Sequence, residues 1–152
     1  MSVSAIPEGY HSLTPYLIVK DAEAALAYYA KALGAAEVLR MPMPDGKIGH
    51  AEMKVGDSHF MLAEEMPDMG FVGPASLGGA GVSLMLYTED CDALFAQALA
   101  AGGEQLRAME DQFYGDRAGT FKDPFGHVWT IGTHKEELSP EELTQRMAAA
   151  CG

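Results

Sequence analysis

The sequence predicts an α+β fold of two tandem βαβββ modules followed by a C-terminal helix, and three observations lead there. An apolar strand, an acidic residue, an alanine-rich helical stretch and a glycine occur in that order twice. The first copy is LTPYLIVKDAEAALAYYAKALGA, Leu13 to Ala35, and the second is VSLMLYTEDCDALFAQALAAGGE, Val82 to Glu104. Asp21 to Gly34 and Glu89 to Gly102 have the same spacing, which sets Leu26 opposite Leu94 and Ala30 opposite Ala98. Each copy is followed by three short segments of strand character, so two similar units are expected to bury their faces against each other. The 152 residues read as a single domain, with module one about 13–65, an inter-module loop about 66–81, module two about 82–134 and the final helix about 139–150.

In module one, residues 13–20 alternate weakly around Tyr16, Ile18 and Val19, the pattern of a strand. Asp21 is an N-cap residue for the helix that follows, and Gly34 stands at its C-terminal stop. Ala36 to Met41 reads as the next strand, and Asp45-Gly46 as a hairpin turn. HAEMKV and SHFMLAEE complete the module, joined at Gly56-Asp57. The stretch MPDMGFVGPASLGGAG, 66–81, is rich in glycine and proline. It reads as a flexible connector or as a wall over a ligand site, with Met66, Met69 and Phe71 as adaptable contacts. Module two repeats the plan: a strand through Leu84 and Leu86, a helix over about 92–101, then strands over 104–109, 117–122 and 128–133. In the tail LSPEELTQRMAAACG, Ser139, Pro140 and Glu142 form a capping box with proline at the first helical position.

Composition narrows the function classes. The formal net charge is −12, which disfavours nucleic acid and anionic lipid, both of which select basic surfaces. No apolar run approaches the roughly 20 residues of a membrane helix, and MSVSAIPEGY lacks a signal pattern. Two cysteines, Cys91 and Cys151, suit a reducing compartment, so the expected location is cytoplasmic. Cys91 reads as core. No nucleophile elbow, phosphate loop or dinucleotide fingerprint is present.

The tandem plan together with YGDRAGTFKDPFGHVWTIGTH, Tyr114 to His134, resembles the vicinal oxygen chelate superfamily (glyoxalase, bleomycin resistance protein, dioxygenase), and its PhnB-like branch in particular. In metal-dependent members each module's first and last strands supply His, Gln or Glu ligands to one cavity. The positions that this resemblance implies hold Thr14, Ser83, Thr130 and, with a register uncertain by one, Phe60 or Met61. Hydroxyls and apolar groups are poor ligands for a divalent ion, so no metal and no cofactor is expected. His50 and Glu52 share a strand parity and could reach one ion, but read first as a solvated face; His127 reads as a structural residue at a strand start.

Strand parity also populates a candidate cavity wall, with Thr14, Tyr16 and Ile18 from one strand, Ser83, Met85 and Tyr87 from its counterpart, and Val128 and Thr130 from the last. The same side chains would either line an open cavity or fill it. Tyr114, Asp116 and Arg117 form a second constellation, in which Arg117 offers a fork to an anionic ligand or pairs with Asp116 or Asp123. The expected function is binding of a small, mostly apolar molecule between the modules of a homodimer. Whether the protein is an enzyme stays open. The alternatives are a metal-dependent lyase or dioxygenase with a non-standard ligand set, and a metal-free enzyme using Arg117, Asp116 and Tyr114.

Overall fold

The computed structural model describes residues 2–152 and contains two four-stranded sheets, each with one helix laid across it. Module one runs β1 (Tyr16–Val19), α1 (Ala22–Leu33), β2 (Ala36–Pro42), β3 (Ile48–Val55) and β4 (Ser58–Glu64). After a 3-10 turn at Pro67–Met69 and a short helix α2 (Pro74–Leu77), the plan repeats as β5 (Ser83–Tyr87), α3 (Cys91–Ala100), β6 (Glu104–Asp111), β7 (Asp116–Lys122) and β8 (Val128–His134). Helix α4 (Pro140–Cys151) closes the chain. The sheet orders are β1-β4-β3-β2 and β5-β8-β7-β6, with β1/β4 and β5/β8 parallel and the other pairs antiparallel. This is the tandem βαβββ fold with its C-terminal helix.

Local chemistry explains the helix boundaries. The Asp21 side chain accepts the Ala24 N–H at 3.0 Å. At the other end Gly34, at φ +68°, donates to Ala30 O while Ala35 donates to Tyr29 O, a left-handed stop that glycine adopts without steric cost. Helix α3, expected over about 92–101, runs from Cys91 to Ala100, and its cap falls one residue after the Glu89 that the repeat aligns with Asp21. Its cap is Asp90, which accepts the Ala93 N–H at 3.1 Å, and Glu89 is left outside. The equivalent of Leu26 is therefore Phe95, both buried, and half-buried Leu94 falls beside it. With Asp90 and not Glu89 as the cap, the buried face of α3 is displaced by one position from the alignment of the repeat. Ser139 and Glu142 form the expected reciprocal capping box at the start of α4.

Helices α1 and α3 pack on each other and on one face of each sheet, so both modules share one core. Leu17, Val19, Met53, Phe60 and Leu62 come from the first sheet, Phe121, Trp129 and Ile131 from the second, and Tyr29, Ala98 and Phe95 from the helices. Period-two alternation in the strands gives the other face of each sheet to the site.

One carboxylate binds the modules. Asp123, in the turn between β7 and β8, is 3% exposed and accepts four hydrogen bonds. Tyr29 OH of α1 reaches it at 2.6 Å and Trp129 Nε1 at 2.9 Å, while the Phe125 and His127 amides close the turn at 2.9 Å each. His127 reaches back to module one, donating from Nε2 to Ile18 O at 3.0 Å. Removing the Asp123 carboxylate strands two buried donors and two turn amides, and each buried orphan costs about 1–3 kcal/mol. Asp123→Ala is expected to lower unfolding free energy in urea by about 3 kcal/mol or more, and Tyr29→Phe by about 1 kcal/mol.

Candidate functional site

The helix-free face of the first sheet carries a connected set of polar side chains. Strand register sets Tyr16 beside Met61, Met61 beside Glu52, and Glu52 and His50 on the same face. This resolves the register left open by the sequence: Met61 is on the helix-free face, and Phe60 packs against Tyr29 and Trp129 at centroid distances of 5.5 and 5.9 Å. Tyr16 OH lies 2.7 Å from His50 Nδ1, and His50 Nε2 lies 3.1 Å from Glu52 Oε1. Tyr10 OH donates to Glu52 Oε2. An ionised carboxylate can only accept, so His50 Nε2 bears the proton, and in the neutral ring Nδ1 then accepts from Tyr16.

The N-terminal arm holds this network in place. Tyr10 stacks on His59 at 4.1 Å, and His59 Nδ1 donates to Gly9 O at 3.0 Å. The hydrogen bonds from Tyr10 and then His50 hold the Glu52 carboxyl below its usual range. Burial first, and then the Glu52 carboxylate, push the Tyr10 phenol up to about 12. The solvated-face reading of His50 and Glu52 is corrected. Their strand β3 is interior to the sheet, and their side chains are only 23% and 17% exposed.

Beside the network lies a cavity of about 290 Å³ walled by Tyr16, Ile18, Ala63 and Glu64 on the sheet side, with Met66, Met69 and Phe71 opposite. The connector is ordered here. Met66 and Phe71 exchange backbone hydrogen bonds at 2.8 and 3.1 Å across the 3-10 turn, and Glu65 Oε1 accepts the Gly73 N–H at 2.7 Å.

The second sheet presents Ser83, Met85, Tyr87, Val128, Thr130, Ala118 and Asp116 on its helix-free face. Thr130 and Thr120 share a hydrogen bond of 2.8 Å. Buried Asp116 accepts from Tyr87 OH at 2.8 Å and from His134 Nδ1 at 2.8 Å, while His134 Nε2 reaches Glu137 at 2.9 Å. Those two carboxylates raise the His134 pKa above its ordinary value. Arg117 leaves this group. It pairs with Thr133 in register and so lies on the helix side, where its fork meets both oxygens of Asp92 at 2.8 Å, with Asp111 at 3.3 Å. Its partners are neither Asp116 nor Asp123, because the odd positions of β7 face the helix layer. Tyr114 stands in the preceding turn, 38% exposed, against Phe113.

Between the modules a larger cavity of about 570 Å³ is lined by Thr14, Met85 and Tyr87 together with His11, His59 and Trp129. Among the candidate residues, the structure thus joins Thr14 to Met85 and Tyr87 in that cavity, and Tyr87 to Asp116 by a hydrogen bond. Tyr16 belongs to the module-one network. Tyr10 and His134 were absent from the sequence-derived set, and His50 and Glu52 stood there only as a possible ion-binding pair read first as a solvated face. The His-x-Glu parity and the alternation Thr130, Gly132, His134 were the available signals.

The family's metal positions hold Thr14, Met61, Ser83 and Thr130, and Thr130 is already engaged with Thr120. Among the described residues no three His, Cys, Asp or Glu side chains converge as a metal site. Three neutral hydroxyls and a thioether do not fit a divalent ion.

Tandem βαβββ modules, each with parallel first and last strands and one helix-free sheet face, define the fold class of this chain. The chain belongs to the glyoxalase/bleomycin resistance protein/dioxygenase superfamily, whose model matches residues 10–131. An uncharacterized protein of Mycobacterium bovis, Mb0911c, is 40% identical over 141 residues, covering 91% of this chain and 93% of that protein. Escherichia coli protein YjdN is 27% identical over 146 residues, 82% of this chain and 97% of its own. Among solved structures, a PhnB protein from Bacillus cereus superposes with a TM-score of 0.64 at 19% identity, covering 81% of this chain and 99% of that one. No helix among the described residues is long and apolar enough to cross a membrane.

Two measurements probe this geometry. A histidine whose folded pKa is raised contributes stability fully below its unfolded value, near 6.5, and loses it as pH rises through the folded value. His134 is therefore expected to titrate by NMR above about 6.5, and Asp116→Asn to bring its midpoint down. Arg117→Ala is expected to lower the melting temperature by releasing Asp92 at the start of α3, with unchanged affinity for any ligand of the helix-free faces.

Proposed function

We propose that this protein binds a small, mostly apolar molecule on the helix-free faces of its two sheets, without a resident metal, and that it acts as a homodimer. The observation carrying this reading is the exposure of aromatic and thioether side chains on both faces: Tyr16 at 48%, Met85 at 44% and Tyr87 at 58%. Met41, which pairs in register with His50, adds to it. Apolar surface gathered beside a few fixed polar groups suits a ligand that is oriented by hydrogen bonds and held by contact.

The dimer follows from the same exposure. Helix α4 buries none of its residues, although Leu143 and Met147 sit on one side of it. Those groups and the 66–81 segment are the expected contact region. Metal-free enzymatic use of Arg117, Asp116 and Tyr114 has less support, because Arg117 is engaged on the opposite side of the sheet.

One set of measurements on the purified protein tests the reading. Ligands that bind the native state raise the melting temperature by mass action. Within a panel of small aromatic and aliphatic metabolites and antibiotics, at least one compound is expected to do so, with the rise diminished in Tyr87→Ala. Chelator is expected to leave the melting temperature unchanged, and light scattering to give twice the chain mass. A panel without any shift, or a chelator-sensitive melting temperature, would refute it.

A further inference from the structure

We propose that Tyr16, His50 and Glu52 form a proton relay with its open end at the Tyr16 oxygen, and that the relay removes a proton from a small apolar carbon acid held in the 290 Å³ cavity. This rests on the small-molecule reading above and adds a reaction to one of its faces.

The inference comes from counting donors and acceptors along the chain of side chains. Both Glu52 oxygens are engaged, Oε1 by His50 Nε2–H at 3.1 Å and Oε2 by the Tyr10 hydroxyl. Both His50 nitrogens are engaged too, because Nδ1 accepts the Tyr16 hydroxyl at 2.7 Å. The arm covers the carboxylate end, so the lone pairs of the Tyr16 oxygen are the end left for a ligand. A hydroxyl backed by an imidazole, itself backed by a carboxylate, is the arrangement that lets a weakly basic oxygen take a proton while passing its own to the ring.

Strand register opens this end onto the cavity. Tyr16 stands on β1 and His50 on β3, with β4 between them. Ala51 pairs with Leu62, and continuing that register sets Ala63 beside His50 on the helix-free face. The Tyr16 phenol therefore crosses β4 to reach the imidazole. Tyr16, Ile18 and Ala63 form one wall of the cavity, and Met66, Met69 and Phe71 stand opposite. The phenol is half-exposed, so a ligand reaches it, and the methionines adapt to an irregular apolar body.

The step balances without a cofactor. The ligand's C–H proton goes to the Tyr16 oxygen, the Tyr16 proton goes to His50 Nδ1, and the imidazolium is paired with the Glu52 carboxylate. The electron pair of the broken C–H bond stays with the ligand, which expels a leaving group or holds it on an electron-withdrawing neighbour. The imidazolium then returns its proton to Tyr16 as Tyr16 releases the first one to water. The ionisable groups facing the imidazole are Tyr16 from β1, Glu52 on its own strand and Tyr10 of the arm. His59 of β4 stacks on Tyr10, and Lys54 pairs with His59 in register.

The probe is 5-nitrobenzisoxazole, a small apolar carbon acid that a base opens by removing its C–H proton. The N–O bond breaks in the same step, and the coloured product is a cyanonitrophenolate. The full-length protein is expected to turn it over with saturation kinetics, at least about a hundredfold faster than buffer. Tyr16→Phe keeps the ring in the cavity wall and should lower kcat by about a hundredfold with little change in KM. His50→Gln and Glu52→Gln should do the same without changing the melting temperature enough to unfold the protein. Arg117→Ala, on the helix side of the other sheet, should keep the rate. In the wild type, kcat should fall on the acid side with the midpoint that NMR gives for His50, and that limb should vanish in His50→Gln. Turnover that survives Tyr16→Phe or His50→Gln would overturn the relay. A probe that raises the melting temperature but is not turned over would overturn the reaction and leave the small-molecule reading standing. A probe that neither binds nor reacts, in a protein whose melting temperature rises with another compound, would overturn this site alone.

Discussion

The Asp123 carboxylate is the constraint on which the arrangement of the two modules rests. It is almost wholly buried and lacks a cationic partner, so its charge is stabilised by four hydrogen bonds alone. Two of those donors close its own turn, one comes from the neighbouring strand, and one comes from the helix of the other module. Burial and the Asp123 charge together push the Tyr29 phenol well above its ordinary pKa, which keeps it a donor. The aromatic contacts among Tyr29, Phe60, Phe125 and Trp129 surround this polar centre, so packing and hydrogen bonding specify the same geometry.

Because the helices are consumed in that shared core, each sheet leaves its other face outward. The two faces solve the same problem differently. On the first, a phenol, an imidazole and a carboxylate form a chain that the N-terminal arm closes through Tyr10. On the second, a buried aspartate collects a phenol from β5 and an imidazole from the end of β8. Similar backbones thus carry non-equivalent chemistry, in keeping with a scaffold that hosts different ligands through side chains on one face.

Much of the fold was legible in the sequence because its signals are local. Caps at Asp21 and Ser139, the stop at Gly34, the turns at Asp45-Gly46 and Gly56-Asp57, and period-two alternation depend on neighbours within a few residues. Parity alone separated Tyr16, Met85, Tyr87 and Thr130 from the core residues between them. The local signals failed where neighbouring residues offered the same chemistry: Glu89 and Asp90 could each cap α3, and the hydrogen bond from Ala93 selects Asp90.

By itself the sequence determined the element order, the sheet faces and the absence of strong metal ligands at the family's positions, since each follows from residue type and short-range spacing. Only the tertiary structure decided which polar groups meet. Tyr10 reaches Glu52 and Tyr29 reaches Asp123 across separations of 42 and 94 residues. Arg117 turns to Asp92 and away from the residues beside it in the chain. Such pairings depend on sheet order, strand register and helix placement, which arise from burial of the whole core and leave no trace in local spacing.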